Sequence, residues 1–370
     1  MRKKKVFVRA YLSQNLGDDL FVYILCNRYK NIQFYILGDK KNKYIEDLVN
    51  NIIFIPEDSI ICKILNKFYK TKLKLNKNKV RMLREEAVTN VLGALFKYNI
   101  LISGSFFMQS FYWDGIVRDA EWYNSKPYII GCNFGPYIDE EYFNIYKNLF
   151  KKASYICFRD RYSYELFKDI NQVTWASDIV FSLKDWKKDN IKGDYYVVSV
   201  VNLLKYNDTM KDIEKIYIEL MRNIVNQILN KDKKVVMMSF CDRQGDLRVI
   251  NEIVENINDD NVSIFSYEKE GIDASIKLIS QCDSVIATRY HAMILGMLFH
   301  KKIVPIVYSE KMSNVLNDME YIGKIIDLKN INLSSDFCLD DYLYQLDDLK
   351  LDDLIYLSEK NFETLDLIFK

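Results

Sequence analysis

Ser284-Val-Ile-Ala-Thr-Arg-Tyr-His-Ala-Met-Ile-Leu-Gly-Met-Leu-Phe299 reads as a short strand running into a helix. Val285 to Ala287 is an apolar run of the length of a buried strand, and Ala292 to Phe299 is an apolar run of good helix formers. Between them stand Thr288, Arg289, Tyr290 and His291. In an α/β sheet, ligands bind in the crevice outside the carboxyl ends of the strands. The first turn of the following helix presents N–H groups and a positive dipole end, which suit an anion. Arg289 adds a fork for carboxylate or phosphate, and His291 adds a side chain that trades protons near neutral pH. The chain has 2 histidines, and His291 is one of them.

Working outward, strands alternate with helices on both sides of this stretch. Upstream of it the pattern predicts strands at Lys5–Ala10, Gln33–Leu37, Ile52–Ile55, Asn99–Ser103, Pro127–Ile130, Tyr155–Phe158 and Val173–Ala176. A polar stretch, Trp186 to Gly193, reads as a linker. A second alternation follows, with strands at Tyr195–Val201, Lys234–Phe240, Val262–Phe265 and Ile303–Val307. Lys211 to Asn230 reads as an amphipathic helix with Ile213, Ile216, Leu220, Ile224 and Ile228 on one stripe. At 370 residues the chain exceeds what one core usually supports. The expectation is an α/β protein of two Rossmann-like parallel-sheet domains facing a cleft, residues 1–186 and 194–335, with residues 336–370 as C-terminal helices packing back on the body.

Composition excludes several classes. A formal net charge of +1 argues against a nucleic-acid binder, which carries a basic excess. The 7 cysteines are odd in number and scattered, with no C-x-x-C pair, which points to reduced thiols rather than disulfides or zinc. No apolar run reaches the length of a membrane span, and the basic start Met1 to Lys5 is followed by no signal-peptide h-region. A cytoplasmic protein is expected. Residues 62–84 carry Lys63, Lys67, Lys70, Lys72, Lys74, Lys77, Lys79, Arg81 and Arg84 without an acid, interleaved with Leu65, Phe68, Tyr69, Leu73 and Leu75. That segment reads either as a solvated excursion or as a peripheral contact with anionic lipid at the inner face of the membrane.

Polar residues recur at the predicted strand ends. Asn15-Leu-Gly-Asp18 follows the first strand and opens a helix, with Gly17 as the turn residue and Asp18 or Asp19 as the cap. Gly104-Ser105-Phe106, Gly131-Cys-Asn-Phe-Gly135, Arg159-Asp160-Arg161 and Ser177-Asp178 end later strands. Together they describe one sheet edge suited to a polar ligand. Asp160 reads as a structural partner for an Arg. His300, in His-Lys-Lys at a helix end, reads as a solvent-exposed terminal residue.

The ordered set of these motifs, with Ser239-Phe240, Gly245-Asp246, Pro305 and Tyr308-Ser-Glu-Lys311, resembles the polysaccharide pyruvyl transferase family over nearly the whole chain. The resemblance implies a fold similar to GT-B glycosyltransferases. It also implies transfer of the pyruvyl carbons of phosphoenolpyruvate to a sugar, as a ketal, on a free or lipid-linked glycan. Where the family often carries three glycines this chain has Gly104-Ser105-Phe106, which bears on the acceptor. Such chemistry needs an acid to protonate the methylene carbon, cationic groups for the donor's anions, and help in deprotonating hydroxyls; no metal or other cofactor is required in principle. For that chemistry His291 as imidazolium is the expected general acid, its charged form favoured by a bound anion. Arg289, Arg159 (with Arg161 as a rival) and Lys311 are candidates for the anionic groups. Asp18 or Asp178 is the candidate for orienting or deprotonating the acceptor. Asn15, Gly17, Gly104 and Ser105 complete the expected binding set. Two other readings remain: a GT-B-like glycosyltransferase using a nucleotide-sugar donor, and a non-catalytic scaffold in a glycan assembly complex.

Overall fold

A computed structural model describes residues 3–60, 63–64, 67, 77–110, 113–183, 193–205, 211–257, 259–330 and 337–370. The chain forms two compact units. The first comprises Met1–Leu12, Phe21–Ile179 and Ser358–Lys370; the second comprises Ser13–Leu20 and Val180–Leu357. Compared with the domains expected at 1–186, 194–335 and 336–370, the first unit's central stretch ends at Ile179, the second runs on to Leu357, and two further pieces are placed differently. The turn Ser13–Leu20 belongs with the second unit, and the last helical segment belongs with the first. The expected linker from Trp186 falls, up to residue 192, outside the described residues.

The first unit is built on a parallel sheet of 7 strands in the order β3-β2-β1-β4-β5-β6-β7. They are β1 (Lys4–Arg9), β2 (Ile32–Gly38), β3 (Ile52–Pro56), β4 (Tyr98–Ile102), β5 (Tyr128–Cys132), β6 (Tyr155–Phe158) and β7 (Val173–Trp175). The central strands are apolar on both faces, as a sheet covered by helices requires: Val6, Phe7, Ile100, Leu101, Ile129 and Ile130 are all buried. Aromatic packing fills one side, where Phe134 meets the edge of Phe167 at 4.8 Å and Phe150 meets Phe167 at 4.9 Å. Such edge-on pairs add roughly 0.5–1.5 kcal/mol each beyond the area they bury. Phe134 thus anchors the Gly131–Gly135 loop in the core and leaves its neighbour Asn133 to face the strand ends.

The last helix, Glu363–Phe369, docks on this unit through charge. Arg28 closes on Asp366 at 2.6 and 2.9 Å, and Tyr29 donates its hydroxyl hydrogen to the same carboxylate at 2.6 Å. Just before it, the buried amide of Asn361 donates to the Ser177 carbonyl at 3.0 Å and so pins the Ser177-Asp178 turn.

The second unit carries a parallel sheet of 6 strands in the order β10-β9-β8-β11-β12-β13. They are β8 (Tyr195–Ser199), β9 (Lys234–Ser239), β10 (Val262–Ser266), β11 (Ser284–Ala287), β12 (Lys302–Val307) and β13 (Ile326–Asp327). All four residues of β11 are buried. The helix Tyr290–Leu298 that follows is apolar almost all round and is buried from Ala292 to Leu298. The helix Lys211–Leu229 buries the expected stripe through Leu220, Ile224 and Ile228, along with Tyr217.

In both units the strand order reverses direction beside the first strand of the unit: at β1/β4 in one and at β8/β11 in the other. Neighbouring connections leave that point in opposite directions, which opens a crevice at the carboxyl ends.

Some expectations are adjusted. The segment 62–84 lies outside the described residues, apart from residues 63, 64 and 67 and the backbone of the helix Lys77–Leu95. His300 is only part-exposed. Its Nε2 lies 2.8 Å from the Leu346 carbonyl and 3.3 Å from Asp348 Oδ1, because the chain beyond β13 folds back over the helix end. Five cysteines (Cys26, Cys132, Cys157, Cys241, Cys282) are buried thiols not joined in disulfides, while Cys338 is exposed. Among the described residues no helix is long and apolar enough to cross a membrane.

Candidate functional site

The stretch Thr288–His291 sits at the carboxyl end of β11, at the reversal point of the second sheet. The end of β8 lies alongside, with Ser199 in register with Ala287. Ser199 stitches the two strand ends together: its hydroxyl donates to the Ile286 carbonyl and accepts from the Arg289 N–H, each at 3.2 Å. Thr288 is buried and takes the hydroxyl hydrogen of Tyr217 at 3.0 Å. The turn that presents His291 is therefore fixed from beneath by side chains of other elements.

Arg289 is the strongest of these ties. Expected as a fork for a ligand anion, it is 6% exposed and its guanidinium is engaged within the unit. Nε donates to Asp246 Oδ2 at 3.0 Å and to the Val200 carbonyl at 3.2 Å, Nη2 closes on Asp246 Oδ1, and Nη1 donates to Gln244 at 2.6 Å. Asp246 is fully buried and also accepts the N–H groups of Phe240 and Cys241, each at 3.1 Å. Burial pushes the Asp246 carboxyl up, while Arg289 and the two N–H donors pull it down. A buried carboxylate with a two-point guanidinium and two amide donors meets the conditions under which an ion pair offsets its desolvation. The Gly245-Asp246 motif was visible in the sequence, but nothing local marks Asp246 as the partner of a residue so far along the chain.

His291 is half-buried, in edge-on contact with Tyr290 at 4.9 Å. It also lies against Gly17. A Cβ built on Gly17 would lie 1.9 Å from His291 Nδ1 and 2.7 Å from Cε1 and Cγ. Gly17 lies in the first turn of the helix Leu16–Arg28 and does not have the positive φ that would call for glycine. Its place is explained by room for the imidazole, not by turn geometry. The turn around it is secured to the second unit at several points. Leu16 N–H donates to the Phe240 carbonyl at 3.1 Å, the buried Asp19 accepts the Tyr267 hydroxyl at 2.6 Å, and Arg243 donates to Gln14 at 2.6 Å. Asn15 caps the turn, its Oδ1 accepting the Gly17 N–H at 2.9 Å. Asp18 accepts the Ser13 hydroxyl at 3.3 Å and is part-exposed. The structure thus brings Asn15, Gly17, Asp18, Arg289 and His291 into one unit. Tyr267 and Asp246 were not anticipated as members. Lys311, part-exposed, stands in the first turn of the helix Glu310–Asp318 after β12, the strand next to β11.

The first unit has its own cluster at the carboxyl ends of β4, β5, β6 and β7. Arg159 is 4% exposed and donates through Nη2 to Asn133 at 2.7 Å and to Ser105 at 3.4 Å, and through Nη1 to Asp178 at 3.3 Å. Gly104 makes room for it, since a Cβ there would stand 2.7 Å from Nη1. Gly104, Ser105, Arg159 and Asp178 are therefore gathered as expected of a strand-end site, with Asp178 held by Arg159. Arg161 points elsewhere and lies over the Trp175 ring at 4.6 Å. Asp160 caps the helix Arg161–Phe167 by accepting the Ser163 N–H at 2.7 Å. Burial pushes its carboxyl up, against the pull of the Ser163 hydrogen bonds and of Arg159. Phe106 packs on Phe107 and stands 5.2 Å from the Arg9 guanidinium, which also lies 4.5 Å from Trp122 and pairs with Asp119 at 2.6 Å.

Two parallel-sheet units with these topologies define an α/β protein of the two-domain GT-B-like kind. Solved structures share the fold at low identity. UDP-GlcNAc 2-epimerase of Neisseria meningitidis, bound to UDP-GlcNAc, matches at 11% identity and a TM-score of 0.54, covering 100% of this chain and 99% of that one. The UDP-GlcNAc 2-epimerase of Methanocaldococcus jannaschii, with UDP-GlcNAc and UDP, matches at 11% identity and 0.52 over 88% of each chain. Anabaena Alr3699/HepE, with UDP and glucose, matches at 10% identity and 0.51 over 99% of this chain and 97% of that one. A family model for polysaccharide pyruvyl transferase matches residues 15–310, from the Asn15 cap to the helix after β12. The chain belongs to the polysaccharide pyruvyl transferase family.

Proposed function

We propose that the protein transfers the pyruvyl group of phosphoenolpyruvate to two hydroxyls of a sugar in a glycan or its lipid-linked precursor, with His291 as general acid. The observation that carries this reading is the seating of His291 at the carboxyl end of β11, at the sheet reversal, in a chain of this family. The imidazolium gives its proton to the donor's methylene carbon and leaves C2 cationic. One sugar hydroxyl attacks C2 and loses its proton to a carboxylate. The C2–O bond to phosphate breaks, and the second hydroxyl closes the ketal, its proton leaving with the phosphate. Of the two carboxylates expected for the acceptor, Asp18 is the better base, because Asp178 is 1% exposed and paired with Arg159. Arg289, tied to Asp246, holds the turn and lends its charge to the site. Lys311 and the N–H groups opening the helix Tyr290–Leu298 meet the donor's anionic groups.

The test is phosphate release from phosphoenolpyruvate against free and lipid-linked glycans, with mass spectrometry of the product. A gain of one pyruvyl ketal supports the proposal. Thermal stabilisation by nucleotide sugars but not by phosphoenolpyruvate, with a glycosyl product, sinks it in favour of a glycosyltransferase. No stabilisation by either, and no product, favours a scaffold.

A further inference from the structure

The geometry points to Gly17 as the positioning residue for His291: the turn Asn15–Asp19 is a backrest for the imidazole, and no side chain larger than hydrogen fits there. The inference rests on the role proposed for His291, but its physical content does not depend on which reaction the protein performs. Three observations meet at this point. The space for a Cβ at Gly17 is already filled by the His291 ring, with Nδ1 nearest at 1.9 Å. The turn is fixed in place, by Leu16 N–H to the Phe240 carbonyl at 3.1 Å on one side of Gly17 and by Tyr267 to Asp19 at 2.6 Å on the other. The backbone that carries the ring is tied at Thr288 and Arg289, and the ring meets the edge of Tyr290. The turn is tied on both sides of Gly17 while the imidazole is a side chain, so a methyl group at residue 17 moves the ring. Residues far apart in the chain are thereby made into one device, and the Gly of the Asn15-Leu-Gly-Asp18 motif acts through a steric requirement instead of a phosphate loop.

A proton donor displaced by about an ångström loses roughly 100-fold in rate while binding is spared. The experiment compares wild type with Gly17→Ala by imidazole NMR and by steady-state kinetics of phosphate release. With only 2 histidines in the chain, His291 and His300, the ring signals separate into a probe and an internal control. The expected result is that the His291 ring signals move, because the ring shifts relative to Tyr290, while the His300 signals stay at their wild-type positions. kcat falls about 100-fold and KM for phosphoenolpyruvate changes little. Unmoved His291 signals in a folded Gly17→Ala protein overturn the inference. Moved His291 signals in a protein whose wild type releases no phosphate with any glycan uphold Gly17 as the positioning residue and overturn the pyruvyl-transfer reading instead. Should Gly17→Ala fail to fold, Tyr267→Phe is read in its place. It removes the tie to Asp19 and leaves the glycine, and here too moved His291 signals support the backrest and unmoved signals overturn it.

Discussion

Arg289 and Asp246 join two strand ends across a third. Asp246 follows β9, Arg289 follows β11, and β8 runs between them, contributing the Val200 carbonyl to the same guanidinium. The pair is therefore a brace under the turn that carries His291. Removing one half leaves a buried charge without its counterpart, which costs about 3–5 kcal/mol. Asp246→Ala is expected to lose that much in urea denaturation, with the Phe240 and Cys241 N–H groups losing their acceptor as well. Arg289→Lys is expected to lose less but not nothing, since an ammonium cannot replace the two-point contact. A loss below about 1 kcal/mol for Asp246→Ala would mean that the pair is dispensable to the fold.

His291→Ala is predicted to behave in the opposite manner. The ring is half-buried and packs on a glycine, so its loss leaves a small gap at the edge of the unit and not a hole in the core. Stability is expected to stay within about 1–2 kcal/mol of wild type, at the mild end of what point substitutions do. Thermal stabilisation by phosphoenolpyruvate is expected to persist while phosphate release disappears. Near-wild-type release would remove His291 from the chemistry.

The contrast between these two residues marks how much of the site could be read from sequence. Both stood out by type and place: an Arg and a His between a buried strand and an apolar helix. The local pattern located the strand end correctly, because alternation and apolar runs report burial directly. It could not say which way each side chain turns. Arg289 turns inward because Asp246, fixed by two main-chain N–H groups after β9, offers it a buried carboxylate. Pairing across strands that are distant in sequence leaves no local trace. The same holds for the tie between Tyr267 and Asp19 and for the Gly17–His291 contact. Arg159 and Asp178 were both expected at strand ends, and both lie there, but their mutual ion pair depends on β6 and β7 being neighbours. The short strand β13 was missed because its two residues, Ile326 and Asp327, are too few to show a period. His300 was misread as exposed because the tail that folds over it lies more than forty residues downstream.

The cysteines offer a check on burial. Burial pushes the thiols of Cys157 and Cys282 up to about 12, and those of Cys26 and Cys132 further still. The thiolate is the reactive form, so at pH 8 these groups should not react while the protein is folded. In a Cys62→Ser background, native alkylation is expected to label Cys338 alone within minutes, with the others reacting only after denaturation. Rapid labelling of Cys157 in folded protein would contradict the packing of β6.

The docking of the last helix should be sensitive to acid. Burial tends to raise the Asp366 carboxyl, but hydrogen bonds from Arg28, Lys370 and Tyr29 outweigh it and hold the group at about 2. In the unfolded chain an Asp titrates near 3.9. A carboxylate depressed in the folded state contributes stability that is present above its unfolded value and is lost as pH falls through the folded one. The stability difference between wild type and Asp366→Asn should therefore be constant from pH 7 down to about 5 and then shrink toward pH 2. Partial exposure and salt screening reduce its size, so the pH at which it fades is the sharper observable. Urea denaturation of both proteins at pH 7, 4 and 2.5 measures it. A difference that stays the same at all three would show that the Asp366 charge does not hold the Glu363–Phe369 helix in place.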